Sequence, residues 1–270
     1  MHVEPLLLRL DGLARADNVL GAAVRGVGLP ENDQDESREA STQAIRSACM
    51  HALTRTGLVG DEPLDIDVRR SPEGCPIATM SRRLVLPRAE PGRIELLVSA
   101  SRGSGVVAAV CLVTHAGTRA LGRRAPTPGP RVIGVGIDLV AWRDSERLFR
   151  GCDLSILERM FTTNELRQVL SHREVESRLR ELTVVFAAKE AAFKATAPAL
   201  MGNRLLRLPG MEYDALGFRE IEALMSRSHY PVVRAFGRTG KAVRGAGVTR
   251  ISAAILPFAN HCCTLALACG

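Results

Sequence analysis

Two lysines and two carboxylates are the residues of this sequence that point most directly to chemistry. The segment Phe186–Lys194 reads Phe-Ala-Ala-Lys-Glu-Ala-Ala-Phe-Lys, and the spacing of its apolar residues predicts a helix over 179–196. Glu190 falls within the apolar stripe of this helix, and a carboxylate that points inward requires a cation or a metal ion. Lys194 lies four residues after Glu190, so an ordinary ion pair on the helix surface is the alternative.

Lysine is rare in this chain, which holds only Lys189, Lys194 and Lys241 among 36 lysines and arginines. Two of the three therefore flank Glu190 in one helix. A lysine ammonium binds phosphate as a compact point charge, whereas arginine presents a planar fork. This concentration of lysines favours a phosphate-binding site over a solvated helix surface.

A second carboxylate, Asp138, lies in the apolar segment 132–140, which predicts a strand. A carboxylate in a buried strand needs a cation or must lie at the open end of the strand, and an aspartate that caps a turn is the alternative. Gly134 and Gly136 match part of a dinucleotide-binding loop. That interpretation is weak, because the third glycine and the following helix are missing.

The two halves of the chain share an order of elements, a helix followed by strands. Helices are predicted over 38–55 and 179–196, strands follow each helix, and Ile66 precedes Pro76 by the same spacing as Ile221 precedes Pro231. This order predicts an α+β fold built by pseudo-two-fold duplication of an α+β unit, with the active site between the halves. Chance similarity of alternating strands is the alternative.

A proline-rich segment marks the predicted boundary between the halves. Three prolines and one glycine lie within 126–130, and such a run continues neither a helix nor a central strand. We therefore predict an N-terminal half over 1–124, a Pro/Gly linker over 125–130, and a C-terminal half over 131–270 that carries the metal site.

Composition narrows the range of partners and of locations. The 270 residues carry a net charge of +7, which predicts anionic partners, while only 4% aromatic residues argue against a stacking surface for single-stranded nucleic acid. We expect no nucleic-acid and no membrane partner, and the alternative of a nucleic-acid binder rests on net charge only. Seven cysteines without a Cys-x-x-Cys pair predict reduced thiols in the cytoplasm, and scattered histidines make a zinc site a poor interpretation. The uncharged segment 251–270 predicts two buried strands joined by a turn at 257–261, rather than a membrane span.

Three motifs, in this order, resemble those of the 4′-phosphopantetheinyl transferases. They are Gly136-Ile-Asp-Leu-Val140, then Phe161-Thr-x-x-Glu165, and then Phe186–Lys194. The middle motif resembles that of the single-domain holo-acyl-carrier-protein synthases, whereas the length and paired halves resemble the two-domain type. The resemblance is strongest over residues 64–115 and 131–260 and is weak before residue 60.

The resemblance implies a reaction and a role for each acid. Coenzyme A would bind between the halves, and Mg²⁺, or Mn²⁺ in its place, would be held by Asp138 and Glu190. A serine of an acidic acyl or peptidyl carrier protein would attack the β-phosphorus and release 3′,5′-ADP. Glu190, or a water that it orients, would act as the base, Lys194 would neutralise the phosphates, and Lys189 would support it.

The resemblance also extends to the binding surfaces. The residues implied for coenzyme A are Lys189, Ser101, Arg102, Pro76, Arg69 and Arg70, and those implied for the carrier protein are Arg143, Arg147, Arg159 and Phe161. A solvated basic helix face and a core position for Phe161 are the alternatives. Duplication further implies a monomer, since the second half fills the place of a partner subunit.

Three positions depart from the family pattern. Arg102 stands where the two-domain type has a histidine, Cys75 replaces the lysine of Gly-Lys-Pro, and Val140 replaces a third acid. These departures motivate an alternative function, in which a degenerate paralogue binds coenzyme A or a carrier protein without catalysis.

Overall fold

The computed structural model describes residues 19–29, 34–57, 59, 64–72, 74–81, 94–115, 130–202, 215–226, 230–258 and 260–270. Apart from Pro130, the linker predicted over 125–130 lies outside these residues.

Among the described residues before 116, the N-terminal part shows one long helix and five strands. The elements are β1 (Val19–Gly28), α1 (Gln34–Arg55), β2 (Ile66–Arg70), β3 (Pro76–Met80), β4 (Ile94–Gly103) and β5 (Val106–His115). An antiparallel sheet has the order β1-β5-β4, and β2 pairs with β3 as a hairpin. The alanines of α1 pack on the inner face of β5, because small side chains allow the helix backbone to lie close to the strand.

The C-terminal part contains the larger sheet. Its elements are β6 (Val132–Ala141), α2 (Trp142–Arg150), α3 (Leu154–Met160), α4 (Thr163–Leu170), α5 (Val175–Gly202), α6 (Ala215–Arg219), β7 (Ile221–Met225), β8 (Pro231–Ala235), α7 (Gly237–Gly245), β9 (Arg250–Phe258) and β10 (His261–Cys269). The antiparallel sheet has the order β6-β10-β9-β8-β7. The helix α5 packs along β6 and β10 through alanines on one of its faces.

The two sheets meet along β4 and β6. Val110 and Leu112 of the first sheet pack with Val135, Ile137 and Leu139 of the second sheet in one hydrophobic cluster. The backbone N–H of Ile137 also donates to Ser99 Oγ at 3.2 Å. Strand β4 is therefore fixed beside β6, and residues from both parts of the chain lie next to each other there.

The structure confirms the predicted mixture of helices and strands. The segment 251–270 forms the strands β9 and β10, and Asn260 in the turn between them adopts a positive φ of 58°. The helix α5 is longer than the predicted span of 179–196. Within the residues that the structure describes, no helix combines the length and the apolar character needed to cross a membrane.

Candidate active site

The crossing of β6 and α5 positions the acidic residues, and two glycines make this crossing possible. A methyl group added to Gly134 would overlap the backbone oxygen of Ala195, and one added to Gly136 would overlap that of Ala191 and lie 2.6 Å from the nitrogen of Ala195. Gly134 and Gly136 therefore serve close packing of a helix on a strand. The residue that follows on the same face of β6 is Asp138.

Asp138 lies at the centre of a hydrogen-bonded cluster that joins three elements. Its Oδ1 accepts hydrogen bonds from Lys194 Nζ of α5 at 2.7 Å and from Ser101 Oγ of β4 at 2.8 Å. Lys194 Nζ also lies 3.2 Å from both Ser101 Oγ and the carbonyl oxygen of Ile137. Although Asp138 is only 6% exposed, its charge is thus paired and hydrogen-bonded, as a buried carboxylate requires.

Glu190 is half-buried and belongs electrostatically to the same cluster. Burial raises the pKa of Glu190, the negative charge of Asp138 raises it further, and the Lys194 ammonium opposes both effects. The charges of residues 138, 190 and 194 are therefore close enough to influence one another. Lys194 forms an ion pair with Asp138. The alternative considered from the sequence was a surface ion pair between Lys194 and Glu190.

The donor set of this cluster suits a hard divalent cation that shares its coordination with a ligand. The charge of Asp138 helps to raise the pKa of Glu190, and a cation close to both carboxylates would relieve this repulsion. Mg²⁺ is held by one or two carboxylates together with phosphate oxygens and water. In the described ranges, no group of three or more histidine, cysteine, aspartate or glutamate residues is placed to hold a metal ion by itself.

Lys189 does not lie where the sequence predicted it. The residue is 0% exposed, and its Nζ donates to Glu165 Oε2 at 2.9 Å and to the carbonyl oxygen of Met160 at 2.8 Å. The same ammonium lies over the rings of Phe161 and Phe218. Because this ammonium is enclosed and already bonded, the predicted contact between Lys189 and coenzyme A is incompatible with the arrangement.

Glu165 belongs to the motif Phe161-Thr-x-x-Glu165, but the sequence did not predict its structural role. Glu165 is 0% exposed, and its two oxygens accept hydrogen bonds from the backbone nitrogens of Ala223 at 2.7 Å and Thr162 at 2.6 Å, in addition to that from Lys189. Thr162 accepts in return from the nitrogen of Glu165, which completes a capping box at the start of α4. The spacing Thr-x-x-Glu was the signal that could have identified this cap.

A second buried acid, Glu222, extends this polar network. Its Oε1 accepts hydrogen bonds from Thr162 Oγ1 at 2.9 Å and Asn164 Nδ2 at 3.0 Å, and its other oxygen pairs with Arg234. Burial alone would raise the pKa of Glu222, but the hydrogen bonds from Asn164, Thr162 and Arg234 outweigh it, and the pKa is lowered. Glu222 is therefore held ionised inside the network.

The residues predicted to bind a carrier protein divide into two groups. Arg143 and Arg147 on α2 and Arg159 on α3 are exposed. Phe161 is fully buried and packs edge-on against Phe149 at a centroid distance of 5.8 Å. Phe161 is thus a core residue, and its predicted contact with a carrier protein is wrong, because its ring is enclosed by its neighbours.

The residues predicted to bind coenzyme A from the first half lie on β4 and on the β2–β3 hairpin. Ser101 is buried in the Asp138 cluster, and Arg102 beside it is exposed. Arg69 and Arg70 are exposed at the end of β2, where Arg69 pairs with Asp67 at 2.5 Å and Arg70 donates to the oxygen of Gly74 at 2.9 Å. Pro76 opens β3 opposite Arg70.

Two cysteines lie near the cluster without contributing a nucleophile. Cys262 and Cys263 are buried on β10. In the pairing of β10 with β6, Cys263 lies opposite Leu139, and the next residue, Thr264, lies opposite Asp138. Burial raises the pKa of Cys262 to about 12 and that of Cys263 still further. Both thiols are therefore protonated at neutral pH, and a covalent thiolate mechanism is not available to them.

Comparison with known proteins gives one family match and several structural ones. The model of the 4′-phosphopantetheinyl transferase superfamily matches residues 134–252. A holo-ACP synthase from Plasmodium yoelii is 21% identical with a TM-score of 0.41, over 53% of this chain and 98% of that protein. The ACPS–CoA complex from Chronobacterium ammoniagenes is 26% identical with a TM-score of 0.40, over 51% and 97% of the two chains.

A holo-[acyl-carrier-protein] synthase from Helicobacter pylori, in complex with coenzyme A, is 20% identical with a TM-score of 0.34, over 50% of this chain and 98% of that one. No curated protein matches this sequence. The region matched by the superfamily contains Asp138, Glu165, Glu190 and Lys194. Residues 134–252 thus match the model of the 4′-phosphopantetheinyl transferase superfamily, the family that the three motifs resemble.

Proposed function

We propose that this protein transfers the 4′-phosphopantetheine group of coenzyme A to a serine of an acyl or peptidyl carrier protein and releases 3′,5′-ADP. The observation that carries the proposal is the cluster of Asp138, Glu190 and Lys194 at the crossing of β6 and α5. Phosphoryl transfer requires positioned charges more than covalent chemistry by the protein, and this cluster provides both signs of charge in one half-buried place.

Asp138 and Glu190 are the residues that would hold a divalent ion, Mg²⁺ or Mn²⁺. When bound, such an ion neutralises the diphosphate of coenzyme A. Lys194, whose side chain is 25% exposed, adds a positive charge that can reach the phosphates from the same helix. Ser101 keeps Asp138 oriented through its hydrogen bond to Oδ1.

Glu190 is the proposed base for the carrier serine. Burial and Asp138 raise its pKa in the protein without metal, and a bound divalent ion would lower it again, so that the carboxylate is ionised and can accept a proton. The carboxylate would accept the proton of the attacking hydroxyl, directly or through an oriented water. The amide of a Glu190→Gln variant has no comparable basicity, which makes this role testable.

The first half of the chain would supply the remaining contacts with coenzyme A. Strand β4 lies beside β6, and Arg102 follows Ser101 on β4 with its side chain exposed. We propose that Arg102 contacts the phosphates, and that Arg69, Arg70 and Pro76 of the β2–β3 hairpin contact the nucleotide part. Coenzyme A in the relatives from C. ammoniagenes and H. pylori supports this choice of ligand.

An exposed basic and apolar face is the proposed docking surface for an acidic carrier protein. Arg143 and Arg147 lie one turn apart on α2, and Arg159 follows on α3. Exposed apolar side chains accompany them, namely Leu148, Leu154 and Ile156. A basic rim around apolar contacts steers an acidic partner and adds contact area after encounter.

We further propose that the two halves arose by duplication and that the boundaries are 1–124, 125–130 and 131–270. The order β1-β5-β4 repeats the order β6-β10-β9, with a hairpin following the long helix in each half. Gly21 of β1 faces the backbone oxygen of Ala52 in α1, as Gly134 of β6 faces that of Ala195 in α5. A monomer is part of this proposal, because β4 already covers the edge of β6.

Binding without catalysis is the second candidate function. Within β6, Val140 provides no third carboxylate, and Arg102 offers a permanent cation instead of a titratable imidazole. Both changes preserve attraction for phosphate while removing groups that could assist proton transfer. This candidate predicts affinity for coenzyme A without release of 3′,5′-ADP.

Incubation with apo carrier proteins tests the two candidates. A panel of apo acyl and peptidyl carrier proteins is incubated with the protein, coenzyme A and Mg²⁺, and intact masses are recorded. We expect one carrier to gain the mass of phosphopantetheine, and Glu190→Gln to abolish this gain. Calorimetric binding of coenzyme A with no modified carrier in the panel would instead favour the binding candidate.

A further inference from the structure

The buried pair Lys189–Glu165 lies next in sequence to the proposed base and has no part in the proposed chemistry. Both side chains are fully buried, and the Nζ–Oε2 distance is 2.9 Å. Burial lowers the pKa of Lys189, and the attraction of Glu165 opposes this effect. A buried ion pair of this kind is weak evidence for stability, since apolar side chains of similar size often replace such pairs without loss.

The pair ties one turn of α5 to three other elements. Lys189 Nζ bonds the carbonyl oxygen of Met160 at the end of α3, and Glu165 lies in the first turn of α4. Glu165 in turn accepts from the backbone of Ala223 in β7. The position of residue 189 is therefore fixed relative to the end of α3, the start of α4 and the edge strand of the sheet.

The same turn of α5 is fixed from another side by β6. Gly136 lets the backbone at Ala191 lie directly on the strand. Glu190 stands between residues 189 and 191, and successive helical residues point about 100° apart. With one neighbour held by the ion pair and the other pressed on β6, this turn has little freedom to rotate or slide.

We propose that Lys189 is a positioning residue, which holds the turn of α5 so that Glu190 faces Asp138. The catalytic consequence of this role rests on the proposed function, but the restraint of the α5 turn by Lys189 is a property of the fold alone. It also replaces the phosphate contact that the sequence predicted for Lys189. Partners that orient a ligating or reacting side chain commonly influence activity about 10- to 100-fold when removed.

The test compares Lys189→Met with the double variant Lys189→Met/Glu165→Gln. The single variant leaves the Glu165 carboxylate buried without its cation and can fail to fold. The double variant removes both charges and keeps side chains of similar size, so that the fold can recover. Thr183→Val is the matched control, because Thr183 is also buried in α5 and bonds Ser145 of α2 at 2.7 Å, away from Glu190.

Three measurements are made at a temperature at which circular dichroism shows every variant folded. Hydrogen exchange reports the protection of 186–196, and steady-state assays report kcat and the KM for coenzyme A. In the double variant we expect loss of protection over 186–196, a kcat reduced about 10- to 100-fold, and an unchanged KM for coenzyme A. Thr183→Val should leave all three at wild-type values.

Two results would overturn the proposal. Full protection and wild-type kcat in the folded double variant would mean that the pair serves stability only. A raised KM for coenzyme A with unchanged kcat would mean that Lys189 contacts the ligand after all. If the wild-type protein modifies no carrier, the proposed function fails, and the exchange of 186–196 in the double variant still decides whether Lys189 holds the helix.

Discussion

Burial and the charge of Asp138 act on Glu190 in the same direction, and both raise the pKa of its carboxyl group. The opposing charge of Lys194 is the smallest of the three effects and does not cancel the other two. The ionised form of such a group is stabilised by any cation placed beside it, and without a cation the group is a stronger base than an exposed glutamate. The proposed acid–base chemistry therefore depends on the electrostatic environment of the Glu190 side chain.

Replacement of Glu190 by glutamine should reduce turnover without destabilising the fold. We expect kcat for carrier modification to fall about 10²- to 10⁴-fold, the usual contribution of a general base. The melting temperature should not fall, because the amide removes an unfavourably buried charge. The assay is intact-mass analysis of the carrier, with thermal unfolding as the control. Unchanged turnover would show that Glu190 is not the base.

The raised pKa of Glu190 also predicts a dependence of stability on pH in the absence of divalent ions. Below the ordinary value of 4.5, the residue is protonated in both folded and unfolded chains. As the pH rises, the unfolded chain releases this proton first, so stability is lost until the pH passes the folded pKa.

Urea unfolding of the wild type and Glu190→Gln from pH 4 to pH 7, with a chelator present, measures this effect. The free energy of unfolding of Glu190→Gln relative to the wild type should increase with pH. A difference that does not change over this range would contradict the assigned direction of the shift.

At the scale of the elements, the crossing of β6 and α5 sets the relative position of the acids. Gly136→Ala should destabilise the protein by about 1–3 kcal/mol and reduce activity, because its methyl group would push α5 away from the strand. Chemical denaturation and carrier modification measure the two effects. Gly151→Ala is the control, since no atom lies within 4 Å of the added methyl group. Equal stability of the two variants would argue against close packing at Gly136.

Local patterns predicted these elements well, but not the direction in which neighbouring side chains point. The strand at 132–140 and the turn between β9 and β10 follow from apolar runs and from breaker residues. Lys189 and Glu190 are adjacent in the helix, and only tertiary packing decides which of them is enclosed. The concentration of lysines and the family resemblance thus assigned Lys189 to the phosphates, whereas its partner Glu165, 24 residues away, keeps it in the interior.

At the scale of the molecule, the site depends on contact between two distant parts of the chain. Ser101 and Asp138 are 37 residues apart and belong to different sheets. The motifs named the candidate acids, but no local pattern predicted that the Ser101 hydroxyl would bond the Asp138 carboxylate. That contact exists because β4 packs along β6, which is a consequence of the whole fold.

The basic face on α2 and α3 should increase the rate at which an acidic carrier protein associates with this protein. Reversing the charge of Arg143 and Arg147 to glutamate should lower kcat/KM for an acidic carrier protein about tenfold or more, with less effect at high salt. The KM for coenzyme A should not change. Reversal of Lys241 and Arg244 to glutamate, two exposed charges on α7, is the matched control with the same change in net charge. An equal loss in both variants would indicate a general effect of net charge.

The central claim is that Asp138 and Glu190 share one divalent ion. The most direct measurement is a crystal structure with Mn²⁺ and coenzyme A, in which anomalous scattering locates the metal. We predict a peak within bonding distance of carboxylate oxygens of both residues, beside the diphosphate. A peak bonded to neither residue, or bound coenzyme A with the two carboxylates turned away from each other, would contradict the account.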